Sequence, residues 1–253
     1  MGAPTRRPPR RALRALGAPD AVPDWAWIAA LTGASPMTID RVLREVDAFR
    51  ATEAAISAAH RAAGRAGFAQ IRAPFELYAL VRLARPRHVV EVGVSSGVSS
   101  CHFLLGLRRN RRGRLHSIDL PTPQRGPVLG ARESPVAIPP GRSSGWAVPR
   151  AIRRPWDLRI GRSEALLPPL VAELPAIDLF LHDDLHTPAH LAFELATIRP
   201  KLRPGSIVLA DNTAWTGRSF PRFAARLGVR VARRRGTDLV GLRVPPADEP
   251  GRR

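Results

Sequence analysis

Acidic residues stand at the ends of four short apolar runs in this chain of 253 residues. Glu91 stands near the end of the run of Val89, Val90 and Val92, Asp119 follows Leu115 to Ile118, Asp183 and Asp184 follow 177–181, and Asp211 with Asn212 follows 206–210. His186 lies just past the third of these positions. Each acid has an ordinary explanation. Asp119 before Leu120-Pro121 can start a turn, and Asp183, Asp184 and Asp211 can cap the helices that follow. Capping does not explain the whole set at one edge of one sheet. Carboxylate and amide oxygens together suit a hard divalent cation, which takes oxygen ligands. An imidazole titrating near neutral pH can take the proton of a hydroxyl group.

The elements that must position these groups start from the stretch His88-Val-Val-Glu-Val-Gly-Val-Ser-Ser-Gly-Val-Ser-Ser100. A β-branched run, two glycines four apart at Gly93 and Gly97, and the apolar run Phe103-Leu104-Leu105 read as strand, turn and helix. Glycines there let a ligand approach the backbone, and the helix start offers unpaired N–H groups. Ser95 takes the middle position of a Gly-x-Gly-x-x-Gly pattern, which disfavours a dinucleotide and hence a dehydrogenase. No Gly-Lys-Ser/Thr follows, so this is not a phosphate-binding loop. Asp119 falls roughly 20 to 30 residues beyond the turn, where a carboxylate can accept both hydroxyls of a ribose. Gly161, Arg162 and Ser163 close another strand, and Ser163 is placed to cap the next helix. The lack of a basic phosphate clamp fits a nucleoside without phosphates, and S-adenosylmethionine is such a ligand.

Taken in order, residues 1–24 are rich in Pro and Arg and read as a disordered basic arm. Residues 25–73 read as a helical extension, with an amphipathic helix over 38–64 carried by Ile39, Val42, Val46, Phe49 and Ile56. Its expected role is to pack on the main domain or to pair two copies as a homodimer. The main domain spans 74–245, and 246–253 are a tail. Further strands are predicted at 115–118, 157–160, 177–181, 206–210, 229–231 and 239–242, separated by helices. The last two are joined by an Arg-rich turn containing Gly236 and form a hairpin, so one of them runs antiparallel. This predicts an α/β fold with a doubly wound, mostly parallel, seven-stranded sheet. Residues 121–150, dominated by Pro, Gly, Ser and Arg, form an insertion or lid, with Trp146 as an anchor.

Composition narrows the class. No apolar run reaches the roughly 18 residues of a membrane span, and no signal-peptide core follows the basic start. A soluble cytoplasmic protein is expected. Cys101 alone forms no internal disulfide, and it has no metal-type partner spacing. The net charge of +19 comes almost wholly from arginine, since Lys201 is the single lysine. Aromatic residues do not interleave with the arginine clusters, so no stacking platform for nucleic acid is visible. An acidic small molecule or a solvated face accounts for the charge better.

The segment Glu91-Val-Gly93-Val-Ser95-Ser-Gly97 resembles the first motif of class I S-adenosylmethionine-dependent methyltransferases. The resemblance implies that Asp119 holds the ribose and that Gly161, Arg162 and Ser163 lie by the adenine. Pro204-Gly205-Ser-Ile-Val-Leu-Ala-Asp211-Asn212-Thr213-Ala214-Trp215 resembles the fifth-strand motif of the metal-dependent small-molecule O-methyltransferases. It implies a divalent cation, Mg²⁺ by expectation, on Asp183, Asp211 and Asn212, with Asp183 also among the donor-binding residues beside Glu91, Gly93, Ser95, Gly97, Asp119, Gly161, Arg162 and Ser163. Where that family often has Lys after the strand-four Asp, this chain has Leu185 and His186, which makes His186 the candidate base beside Asp183. The resemblance covers about 74–244 and implies methyl transfer to a small-molecule hydroxyl. Two other outcomes are an RNA or protein methyltransferase and a donor-binding partner protein without catalysis.

Overall fold

The computed structural model describes residues 23–62, 71, 73–120, 138 and 141–245. The basic arm, the tail and most of the 121–150 insertion therefore lie outside the described residues. Among the described residues three α-helices come first: α1 (Trp25–Thr32), α2 (Pro36–Arg44) and α3 (Arg50–Ala62). The single helix expected over 38–64 is instead two, joined by a 3₁₀ segment, Glu45–Phe49. Glu45 there turns toward α4 (Pro74–Ala84), taking two bonds from Arg82 at 2.7 and 2.8 Å and one from the Tyr78 hydroxyl at 2.5 Å.

The main domain then alternates β1 (His88–Val92), α5 (Val98–Asn110), β2 (Arg114–Asp119), β3 (Trp156–Ile160), α6 (Ser163–Glu173), β4 (Ile177–His182), α7 (Pro188–Ile198), β5 (Leu202–Ala210), α8 (Ser219–Arg226), β6 (Ala232–Arg233) and β7 (Val240–Arg243). The seven strands form one sheet in the order β3-β2-β1-β4-β5-β7-β6. β7 runs antiparallel to both β5 and β6, and the other pairs are parallel. β5 begins at Leu202, four residues before the expected start at 206, with an irregularity in its register against β4 before regular pairing from Ile207. The two last strands lie a little later in the chain than the apolar residues suggested, at Ala232–Arg233 and Val240–Arg243.

The alternation of strand side chains divides the core. Val89, Leu179, Leu181, Ile207 and Leu209 join α1, α4 and α5 on one face. Val90, Val92, Phe180, Val208 and Ala210 join α6, α7 and α8 on the other. By the same count Glu91 faces α5 and His182 faces α7. The N-terminal helices spend their inner face on this domain. Asp24 caps α1 through the Trp27 amide and pairs with Arg235, while Trp27 Nε1 donates to the Ala232 carbonyl at 3.1 Å. Strand order reverses between β1 and β4, and open α/β sheets bind ligands in the crevice outside such a point. No helix among the described residues is long and apolar enough to cross a membrane.

Candidate functional site

The turn after β1 is built by close approach. Gly93 has φ +92, and a Cβ there would lie 1.9 Å from the Asp183 carbonyl oxygen. Only glycine lets the β4 backbone come that near. Gly97, at φ +95, starts α5, and a Cβ on it would meet Val148 Cγ2 at 2.4 Å. Ser95 adopts φ +49 without being glycine. The Ser95 and Ser96 hydroxyl oxygens are buried with no hydrogen-bond partner. A turn with a helix N-terminus behind it and two unmet hydroxyls is ready to receive polar groups of a ligand.

Glu91 lies beneath this turn, fully buried, and does not point into the crevice. Ser99, Ser100 and Ser117 each donate a hydroxyl to its carboxylate at 2.6 Å. Burial pushes its pKa up to about 7 against these bonds. Glu91, expected to touch the donor, is here the hub that ties β1, β2 and α5 together. Asp119 accepts from the Val94 amide at 3.0 Å, and the Ser95 and Leu120 amides and the Ser144 hydroxyl also bond it. Burial holds its pKa above the usual carboxylate range despite them. It thus fastens the turn to the end of β2.

The described end of the 121–150 insertion lies on the same turn. Gly145 N donates to Ser95 O at 2.8 Å, and Ala147 N donates to Ser96 O at 3.1 Å. Trp156 fills the space beside Gly145, where a Cβ would fall 2.2 Å from its ring, and its indole N–H donates to Ser117. Arg153 binds the Val148 and Gly145 carbonyls and lies over the Trp156 ring. Trp146, the expected anchor, is half-buried with Arg142 stacked on it. Ser144 and Trp156 had no signal in the sequence, since nothing local tells which turn a remote serine or indole will meet.

Gly161 N bonds the Asp119 carbonyl, bringing β3's end to β2's. Arg162 is exposed and occupies the N-cap position of α6. Ser163, expected to cap that helix, is instead its first residue. Its buried hydroxyl faces His190 Nε2 at 3.0 Å, so the cap is lost to a longer-range partner.

Across Gly93, β4 and β5 end side by side, His182 opposite Ala210. Asp183 and Asp211 follow these neighbours. Desolvation raises the pKa of both, and the charge of Asp211 is a lesser cause of the rise at Asp183, which reaches about 7. His186 Nε2 lies 3.5 Å from Asp183 Oδ1, and Asn212 Nδ2 lies 3.5 Å from His186 Nδ1. Trp215 meets the His186 ring edge-on at 5.9 Å. The structure thus gathers Asp183, His186, Asp211 and Asn212 at one place. Two half-buried neighbouring carboxylates, both with raised pKa, fit a cation well. Asn212, at φ +48, holds the bend that turns its side chain toward His186.

Behind this set lies a second group, His182, Asp184, His190 and Glu194, of which the sequence singled out only Asp184. His182 Nδ1 is 2.7 Å from Glu194 Oε2, and His190 Nε2 is 2.9 Å from Asp184 Oδ2. Burial opposes charge on His190, but the bonds to Asp184 and Glu194 outweigh it and push its pKa up to about 10. Glu194 moves the other way. Burial would raise it, and the paired histidines hold it below the carboxylate range. The helical spacing of His190 and Glu194 was a signal, but helix α7 read equally well as a plain amphipathic helix.

A family model described as a methyltransferase domain matches residues 90–213. No curated protein matches this chain. Among solved structures, a candidate O-methyltransferase from Klebsiella pneumoniae is 19% identical with a TM-score of 0.52, covering 88% of this chain and 95% of that one. TomG, an O-methyltransferase from Streptomyces achromogenes solved with S-adenosylmethionine, is 17% identical with a TM-score of 0.50, covering 87% and 95%. Cofactor-bound Rv0187 from MTB is 18% identical with a TM-score of 0.52, covering 80% and 97%. These structures share the fold.

Proposed function

We propose that this chain, which carries a class I S-adenosylmethionine-dependent methyltransferase domain over residues 90–213, transfers the donor's methyl group to a hydroxyl oxygen of a small molecule. The observation that carries this is the shared wall at Gly93. The glycine turn touches the acidic end of β4 there, with β5 as β4's neighbour, so donor and acceptor would sit on either side of one backbone contact. Methyl transfer is an in-line displacement, so the protein's work is to align the acceptor oxygen and take its proton.

The donor side uses this chain's residues as follows. Ser95, Ser96 and the start of α5 face the ligand with unmet polar groups. Asp119 accepts the ribose hydroxyls in place of Ser144, and Gly161, Arg162 and Ser163 border the adenine. On the acceptor side His186 takes the hydroxyl proton, oriented by Asp183 and Asn212. Asp183, Asp211 and Asn212 would hold a divalent cation, Mg²⁺ by its preference for oxygen. Such an ion lowers the pKa of a bound hydroxyl. The small-molecule acceptor is favoured over a polymer by where the arginines lie. A recess of about 730 Å³ lined by Arg108, Arg111, Arg112, Arg114 and Arg154 opens at the start of β2, the far end of the strand from the acids. Any pairing of two copies would use the outer face of the N-terminal helices, where Met37 is exposed.

Calorimetry with S-adenosylhomocysteine tests the donor side. Asp119→Ala should weaken binding by roughly 3 kcal/mol, since bonds to a charged acceptor are worth about 1.5 to 3 kcal/mol each. Asp119 also fastens the turn, so the 2′-deoxy analogue separates the two roles. It should bind the wild type more weakly than the parent does, and bind Asp119→Ala equally well. Equal loss in both proteins would leave Asp119 a turn residue only. Turnover of labelled donor on catechols, phenols and sugars, with and without chelator, tests the rest. Methylation of RNA alone would overturn the small-molecule acceptor, and full turnover in excess chelator would overturn the cation.

A further inference from the structure

The group behind β4 has more acceptors than protons. His182 Nδ1 is 2.7 Å from Glu194 Oε2 and 3.2 Å from Asp184 Oδ1. His190 Nε2 is 2.9 Å from Asp184 Oδ2, 3.2 Å from Glu194 Oε1 and 3.0 Å from Ser163 Oγ. Each ring nitrogen carries at most one hydrogen. Two N–H bonds therefore face four carboxylate oxygens. The shortfall is visible in the structure, where Asp184 Oδ1 and Glu194 Oε1 are buried without a hydrogen-bond partner. Glu194 and His182 are fully buried, so water does not make it good. Unpaired buried acceptors are costly, and a cation among them would remove that cost.

We propose that His182, Asp184 and Glu194, with His190 as a fourth donor, bind one divalent first-row transition ion of the zinc type, apart from the Asp183, Asp211 and Asn212 set. Donor atoms of His182, Asp184 and Glu194 all lie within 4.8 Å of one another, near enough for one ion to reach all three. Imidazole beside carboxylate selects zinc-like ions over Mg²⁺, which prefers oxygen and retains water. Glu164 Oε1 is 3.4 Å from His190 Nδ1, the ring nitrogen that faces away from the carboxylates. A carboxylate there is the usual partner that orients a metal-bound histidine. Four protein donors in a closed pocket make a structural site, not a catalytic one. It would pin the end of β4 to α7 and so hold the intervening loop that carries Asp183 and His186.

The test reads metal, not turnover, so it is independent of whether the acceptor or Mg²⁺ assignment is right. The full chain is stripped with chelator and titrated with Co²⁺ and Zn²⁺ in millimolar Mg²⁺. Bound ion is followed by elemental analysis, by the cobalt ligand-field spectrum and by melting temperature. One ion per chain with nitrogen ligation is expected, with a raised melting temperature. Glu194→Gln and His182→Gln should each weaken affinity by at least about 100-fold, by analogy with losses of 10- to 100-fold for outer partners alone. Asp211→Asn should leave it unchanged. If either ligand variant does not fold, X-ray absorption on wild-type protein loaded with Zn²⁺ still counts nitrogen neighbours. A wild type that binds no transition ion in the micromolar range overturns the proposal. So does an ion lost in Asp211→Asn and kept in Glu194→Gln.

Discussion

The two halves of the sheet's carboxyl edge treat charge in opposite ways. On the β1 to β3 side every carboxylate is answered. Glu91 receives three hydroxyls, and Asp119 receives backbone amides and Ser144. What is left unmet is two neutral serine hydroxyls. On the β4 to β5 side, carboxylates and imidazoles crowd together, with buried oxygens unpaired and the pKa values of Asp183 and Asp211 both raised. A preorganised wall whose carboxylates are already hydrogen-bonded suits a nucleoside that carries no phosphate. An under-neutralised acidic wall suits a cation and a proton in transit. Gly93 is where the walls touch.

The largest effect expected separates the halves outright. Asp183→Asn keeps the shape but removes the charge beside His186. Turnover should fall by about 10³-fold, within the range for losing positioned acid–base chemistry. Affinity for S-adenosylhomocysteine should change by less than about threefold, under 1 kcal/mol. Single-turnover rates and calorimetry on the same preparation decide it. A parallel loss of both would mean that the two walls act as one site.

Glu91 supplies the next test, on stability. Its pKa is about 7 in the folded chain against an ordinary value of 4.5. An acid whose pKa is raised by folding binds its proton more tightly folded than unfolded. Its contribution is therefore fully present below pH 4.5 and is lost as pH rises through 7. The full loss corresponds to about 3 kcal/mol. Glu91→Gln should abolish that fall, leaving a variant as stable as wild type near pH 4.5 and more stable at pH 8. Urea unfolding at the two pH values measures it. A variant less stable at pH 8 would show that the ionised carboxylate, with its three serines, stabilises the fold.

Much of this edge was legible in the sequence because it obeys local rules. A β-branched run, two glycines and an apolar helix specify β1, the turn and α5. Acids after short apolar runs mark the strand ends, and His186 with Asp211 and Asn212 met where the strand order puts them. The harder parts depend on partners far along the chain. Glu91 stood in a known motif position, yet its carboxylate turned under the turn because Ser117, from another strand, was there to meet it. Ser163 looked like a cap because nothing nearby announced His190. The break at Glu45 came from Arg82 and Tyr78, over thirty residues away. Periodicity reports which face is buried, but not which polar group will be waiting there.

The smallest expected effect concerns the seam between the β1 to β3 wall and the end of the 121–150 insertion. Ser117 Oγ donates to Glu91 at 2.6 Å and accepts from the Trp156 indole at 2.9 Å. Ser117→Ala breaks both bonds while keeping the strand. Glu91 then loses a hydroxyl that had lowered its pKa, so the fall of stability with pH should extend to higher pH than in wild type. The cost should be about 1 kcal/mol at pH 8, where the carboxylate is ionised, and less at pH 5, where it carries its proton. Trp156 also loses its acceptor and its fixed place beside Gly145, so the segment on the glycine turn should loosen and donor affinity fall slightly. Transition-metal content should not change, because His182 faces α7 on the other side of the sheet. If Ser117→Ala lowers metal content as much as it lowers donor affinity, charge on one wall is felt on the other, and the division at Gly93 fails at its weakest point.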